Sequence, residues 1–176
     1  MTNHHFVTNL GGIVLAALGA CFPPQAQAAE TATAALQPAS GSQVQGQVTF
    51  TQDGNRVRAA GEIKGLSPGR HGFHLHEKGD CSAPDAESAG GHFNPAGKKH
   101  GGLKSTERHA GDFGNLNADA SGVAKVELTL TGISVAQNRP DSIVGRALVV
   151  HAQADDEKSD PSGNSGSRVA CGVVKG

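Results

Sequence analysis

Between Val44 and Lys175 no helical period is sustained; where apolar residues recur regularly, they do so at every second position. "VQGQVTF" from Val44 puts Val44, Gly46, Val48 and Phe50 on one side, and "RVRAAGEIKGL" from Arg56 resumes the alternation after the turn Asp53-Gly54-Asn55. The two read as a β-hairpin. "HGFHLHE" from His71, "VAKVELTL" from Val123, "ALVVHA" from Ala147 and "SRVACGVVK" from Ser167 keep the same period. The 25 glycines, about twice the usual share, fit short strands joined by many turns. With no Trp or Tyr and six Phe, the core has to be built mainly from Val, Leu, Ile and Ala. The 176 residues suffice for one domain and hardly for two. The expected fold is an all-β sandwich or barrel, with at most one helical turn near Asp141 to Val144.

Two stretches break the strand pattern, roughly Lys78 to Asn117 and Ala152 to Gly166, both rich in Gly, Pro, Asp, Ser and Asn. Loops of that length in one compact domain usually carry function. A formal net charge of −1, with no run of Lys or Arg and no interleaved aromatics, argues against a nucleic-acid partner. A small, mobile substrate fits better.

The N-terminus carries an apolar run from Leu10 to Phe22, then Pro23-Pro24 and the triplet Ala26-Gln27-Ala28. That pattern reads as a secretory signal over 1–28, although its first residues offer His4 and His5 in place of the usual positive charge. The run is shorter than the roughly 20 residues a bilayer span needs. A second route is open: Leu18-Gly19-Ala20-Cys21 resembles a lipobox, with 1–20 removed and Cys21 lipidated, which alone would anchor the protein to a membrane. Residues 29–40 then read as a linker and 41–176 as the domain. Either route makes the protein periplasmic or secreted. Cys81 and Cys171 are left as a pair in an oxidising compartment, where a disulfide is the default expectation.

The histidines carry the chemistry. In a strand, residues two apart face the same way, so His74 and His76 present rings from one face about 6–7 Å apart. An isolated pair of this kind is usually solvent-facing, but His92, His100, His109 and Asp112 follow in the first long loop and His151 ends a strand. His71 shares its strand face with Phe73 and Leu75 and reads as structural. Imidazole suits copper and zinc, and three imidazoles with a carboxylate suit four-coordinate zinc.

"GFHLHEKGDC", "GGHFNPAGKKHGG", "ERHAGDFGN", "VVHAQADD" and "GNSGSRVACGVV" together resemble the copper-zinc superoxide dismutases, in order and at compatible spacings over nearly everything after the signal region. The cysteine five residues after His76 and the exported start look like the bacterial periplasmic branch, while "HAQADD" and "GNSGSR" also resemble the eukaryotic enzymes. The resemblance implies an eight-stranded Greek-key barrel carrying one copper and one zinc on two long loops. It implies His74, His76, His92 and His151 on copper, and His92, His100, His109 and Asp112 on zinc. His92 would serve both metals as an imidazolate, which two flanking cations make accessible, and would relay a proton during the alternation of copper(II) and copper(I). Arg168 would guide the superoxide anion, and Asp155 would accept hydrogen bonds from one copper and one zinc histidine, here His74 and His100. The Cys81 to Cys171 bond would tie the metal-bearing loop to the strand carrying Arg168. Gly72 and Gly172 read as close-approach backbone positions.

One departure from the eukaryotic pattern is the short segment between His151 and Arg168, which leaves Lys98, Lys99, Lys104 and Arg108 as alternative steering charges or merely a solvated stretch. Three other readings fit less well. A metal carrier favours thiolate or thioether sites, yet the chain has a single Met and no C-x-x-C. A silent relative would show a lost ligand. A zinc hydrolase would need an open position and a general base, as in H-E-x-x-H. Oligomeric state stays open between monomer and homodimer.

Overall fold

The computed structural model describes residues 1–2 and 30–176. The expected signal region, with Cys21 and Ala28, lies outside the described residues. Among those described, no helix is long and apolar enough to cross a membrane.

Eight antiparallel strands close into one barrel: β1 (Thr31–Pro38), β2 (Gln45–Asp53), β3 (Arg56–Lys64), β4 (Gly69–His76), β5 (Asp112–Ala118), β6 (Ala124–Thr131), β7 (Ala147–His151) and β8 (Arg168–Lys175). Around the barrel the order is β1-β2-β3-β6-β5-β4-β7-β8, so the chain crosses over between β3 and β4 and again between β6 and β7. This is a Greek-key closure, and closure removes the unpaired edges that an open sheet would expose. The hairpin expected at Asp53-Gly54-Asn55 pairs β2 with β3 from Gln45↔Lys64 to Asp53↔Arg56.

Inward positions fill the barrel with Val48, Phe50, Val57, Ile63, Leu130, Ile143 and Leu148, all essentially without solvent contact. Phe113 packs edge-on against Phe73 at 5.8 Å between ring centres and is tilted against Phe50 at 6.5 Å. β4 is buried on both faces from His71 onward because the second long loop lies over it. That is where a side chain can leave the core without reaching water.

Two strands lie where loops were expected. β1 occupies most of the 29–40 linker: Ala32, Ala34 and Leu36 turn inward while Thr31, Thr33 and Ala35 stay exposed. Alanine carries too little apolar contrast to mark the alternation. β5 falls inside the first irregular stretch, where Gly114 at φ 79° interrupts the strand period. The helical turn expected at Asp141 to Val144 is absent. Ser142 instead bridges to Ser134, and Ile143 donates its N–H to the Ser134 carbonyl while its side chain enters the core. Among the described residues the helical element is a 3₁₀ turn at Glu87–Ala89.

Candidate metal centre

Strand β4 delivers His74 and His76 from one face, their ring centres 6.5 Å apart. His92 reaches them from the loop after β4, because residues 91–93 run back along the strand. Glu77 N–H donates to Gly91 O at 2.9 Å and Phe93 N–H to Leu75 O at 2.8 Å, which makes His76 and His92 opposing partners. His151 ends β7, the other neighbour of β4. The ring centre of His92 then lies 4.1 Å from that of His74 and 5.0 Å from that of His76. On its other side it lies 5.5 Å from each of His100 and His109.

Two groups of donors result, His74, His76, His92 and His151, and His92, His100, His109 and Asp112, with the ligand atoms of each group within 4.8 Å of one another. His92 belongs to both. Its Nδ1 is 2.7 Å from Asp112 Oδ1, while its Nε2 faces the first group without a hydrogen-bond partner.

Among the described residues, five buried ring nitrogens make no hydrogen bond: His74 Nδ1, His76 Nε2, His92 Nε2, His151 Nε2 and His100 Nδ1, the last lying 3.1 Å from Asp112 Oδ1 without being aligned to it. Leaving a buried polar atom unsatisfied costs about 1–3 kcal/mol, so the four in the first group alone would consume about 4–12 kcal/mol, comparable with the whole stability of an ordinary domain. A bound cation accounts for them. Four of the five are one nitrogen from each ring of the first group. In the second group, Asp112 Oδ1 lies 2.7, 3.1 and 3.2 Å from Nδ1 of His92, His100 and His109. Donors around a tetrahedral zinc stand about 3.3 Å apart, close to the two longer separations.

The opposite ring atoms are pinned, which selects the tautomer that aims a lone pair inward. His76 Nδ1 donates to Gly90 O at 2.9 Å and His151 Nδ1 to Gly166 O at 3.1 Å. Asp155, fully buried, accepts from His74 Nε2 at 2.8 Å and from His100 Nε2 at 2.9 Å, one ring from each group. His71 lies outside both groups and bridges the carbonyls of Ser67 and His151.

Burial pushes His92 down to about 4 and His151 down to about 3, with neighbouring rings adding to the effect, so both are neutral and able to ligate. Burial also lowers His100, but its contacts with Asp112 and Asp155 outweigh that and raise it to about 10. Burial would raise both carboxylates, yet their histidine partners hold Asp112 and Asp155 well below the usual range. A proton on His100 and a cation between the four donors answer the same negative field.

Arg168, half-buried at the start of β8, donates from Nη1 to Ala86 O and from Nη2 to Gly90 O, each at 2.8 Å. The Cys81–Cys171 disulfide is formed, linking that strand to the loop that bears those carbonyls.

A family model described as copper/zinc superoxide dismutase matches residues 44–174. The chain belongs to the copper/zinc superoxide dismutase family. It is 45% identical over 153 residues to the extracellular superoxide dismutase [Cu-Zn] of Brugia pahangi, a match covering 82% of this chain and 75% of that one. The crystal structure of the clock protein EA4 aligns with a TM-score of 0.75 at 40% identity, covering 88% of this chain and 99% of that chain. The protein is thus a superoxide dismutase whose cofactors are copper and zinc, and the two donor groups suit those ions.

Several contributors escaped the sequence reading. Gly163 has no room for a side chain: a Cβ there would lie 1.8 Å from Asp155 Oδ1 and 2.7 Å from His100 Nε2. Asn115 brackets Asp155 by accepting its N–H and donating to its carbonyl. The Gly90 carbonyl serves both His76 and Arg168. Backbone acceptors leave no trace in residue identity, but the positive φ of 65° at Gly163 belongs to a residue type that signals such positions. Gly72 and Gly172 are close approaches, with Ser165 Cβ 2.7 Å and Ala35 O 2.4 Å from where a Cβ would sit. Arg108 has a structural task that the sequence did not suggest. Its guanidinium donates to the carbonyls of His109 at 2.8 Å and Thr131 at 3.0 Å, strapping the loop to β6.

Proposed function

We propose that His74, His76, His92 and His151 hold copper, that His92, His100, His109 and Asp112 hold zinc, and that Arg168 receives the superoxide anion. The observation that carries this reading is the placement of His92, whose two ring nitrogens face the two donor groups. Four imidazoles suit copper, and three with a carboxylate suit zinc. When bound, copper supplies the one-electron exchange that oxidises one superoxide to dioxygen and reduces a second to hydrogen peroxide, and zinc supplies charge without redox chemistry.

The chain's own residues do the rest. Arg168 keeps its charge at any physiological pH and, anchored through two backbone carbonyls, offers its remaining N–H groups to a small anion. His92 Nε2 is the atom that takes up and hands on a proton for the departing peroxide. Asp155 orients His74 and His100 together, so neither group can shift without the other. The disulfide keeps the Ala86 and Gly90 carbonyls in register with Arg168.

Export of the protein after removal of residues 1–28 is part of this proposal. The disulfide and the extracellular relative support an oxidising destination, whether periplasmic or outside the cell. The test of the site is Arg168→Ala in the copper- and zinc-loaded protein. Losing the charged hydrogen bonds to the anion should lower kcat/KM about tenfold or more, with one copper and one zinc retained. An unchanged rate would remove Arg168 from the anion's path.

A further inference from the structure

The carbonyls of Ala86 and Gly90 flank the 3₁₀ turn at Glu87–Ala89, and both accept from Arg168. Carbonyl acceptors fix a guanidinium without neutralising it. The nearest opposite charge comes from the same turn: Glu87 Oε2 lies 3.1 Å from Arg168 Nη2, with Asp85 acting more weakly on the same guanidinium. Nη2 already donates to Gly90 O, and the Glu87 contact is an ion pair without a directed hydrogen bond. The two partners differ in access, the Arg168 side chain being 12% exposed and that of Glu87 65%. Glu87 is therefore the solvent-facing member of the pair, close enough to act on any anion that reaches the arginine. Its backbone is held by Asp85, whose Oδ1 accepts the Glu87 N–H at 3.0 Å, while the side chain is free to turn outward.

We infer that Glu87 is the built-in counter-charge of Arg168, and that it sets how strongly the site discriminates among anions by charge. The inference rests on Arg168 as the anion-receiving residue. A superoxide anion meets the repulsion of this carboxylate once and competes with a partner whose own side chain is open to solvent and can swing away. A dianion meets twice the repulsion. Glu87 thus keeps abundant multivalent anions off the arginine at a modest cost in superoxide capture.

With the carboxylate about 5–8 Å from an anion approaching through water, removing its charge should strengthen monoanion binding about two- to fourfold at low ionic strength. For a dianion the Coulomb energy doubles, so the factor is squared, to about four- to sixteenfold. Both effects should shrink above about 0.1 M salt.

The experiment compares the copper- and zinc-loaded parent protein with Glu87→Gln and Arg168→Ala. Azide affinity is read from the visible absorption of the copper, phosphate affinity from competition with azide at a pH where phosphate is a dianion, and kcat/KM for superoxide over a salt series. Glu87→Gln should bind azide two- to fourfold more tightly, gain more for phosphate than for azide, and raise kcat/KM most at low salt. Equal gains for azide and phosphate would overturn the charge-selectivity argument. No gain for either, with azide weakened in Arg168→Ala, would overturn the role of Glu87 and leave Arg168 as the anion's receiver. If neither variant changed anion binding or turnover, the reading of Arg168 itself would fall, and that of Glu87 with it.

Discussion

Asp155→Ala should separate the two metal sites. The carboxylate accepts three hydrogen bonds, from His74 Nε2 at 2.8 Å, His100 Nε2 at 2.9 Å and the Glu157 N–H at 2.6 Å. Alanine removes all of them and leaves two buried ring N–H groups without an acceptor. The consequences differ because the rings stand on different supports. His74 belongs to β4, paired with Asp112 on one side and Val149 on the other, so its backbone stays fixed from both sides when the acceptor is lost. His100 belongs to an irregular loop. Without Asp155 it is tied to the second loop only through its backbone N–H, which donates to Asp160 Oδ1 at 2.6 Å. Its proton would no longer be held at Nε2, and a shift to Nδ1 would block the nitrogen that faces the zinc group. Losing such a partner costs about 10–100-fold in metal affinity, roughly 1.4–2.7 kcal/mol. Zinc affinity of the folded variant, measured by competition with a chromophoric chelator, should fall within that range, while copper affinity falls less than about tenfold. Equal losses at both sites, or an undiminished zinc affinity, would refute the argument.

Other outcomes follow from the same geometry. Gly163→Ala should cost zinc as well as stability, because the Cβ would collide with Asp155 and a side chain at φ 65° costs about 1–2 kcal/mol; zinc content and melting temperature are the readouts. Replacing both Cys81 and Cys171 by Ala opens a loop of sequence separation 90, worth about 4–5 kcal/mol in the chain-entropy treatment, so the metal-free double variant should melt well below the metal-free parent. The metal-free protein should also lose stability in mild acid. His92 and His151 fall from 6.5 to about 4 and about 3 on folding, so between those values the unfolded chain binds more protons. The contribution of these two rings is intact above about pH 6.5 and drains as pH falls toward 4 and 3, by up to about 2.7 kcal/mol per unit for the pair. His100, raised to about 10, acts in the opposite sense and loses its contribution as pH rises from 6.5 toward that value. A melting temperature that stays flat from neutrality into the acid window would contradict the buried, neutral state of these rings.

Residue types alone determined a good deal. The period-two segments from Val44, Arg56, His71, Val123, Ala147 and Ser167 are where β2, β3, β4, β6, β7 and β8 lie, because a half-buried strand writes its pleat into the chain as apolar alternation. β1 and β5 were illegible for a physical reason: alanines on one, and a left-handed glycine within the other, erase the contrast that alternation depends on. The imidazoles and the carboxylate of the two donor groups were legible because few other side chains can bind such ions.

What only the tertiary structure decided is which atoms meet. Barrel closure sets His151 beside β4, and residues 91–93 fold back on that strand to put one ring, His92, between two groups. The Gly90 carbonyl that serves both His76 and Arg168, the space kept by Gly163 and the carboxylate of Glu87 at the arginine depend on distances across the chain. Backbone acceptors and close approaches have no residue code, so no reading of side-chain identity along one dimension can find them.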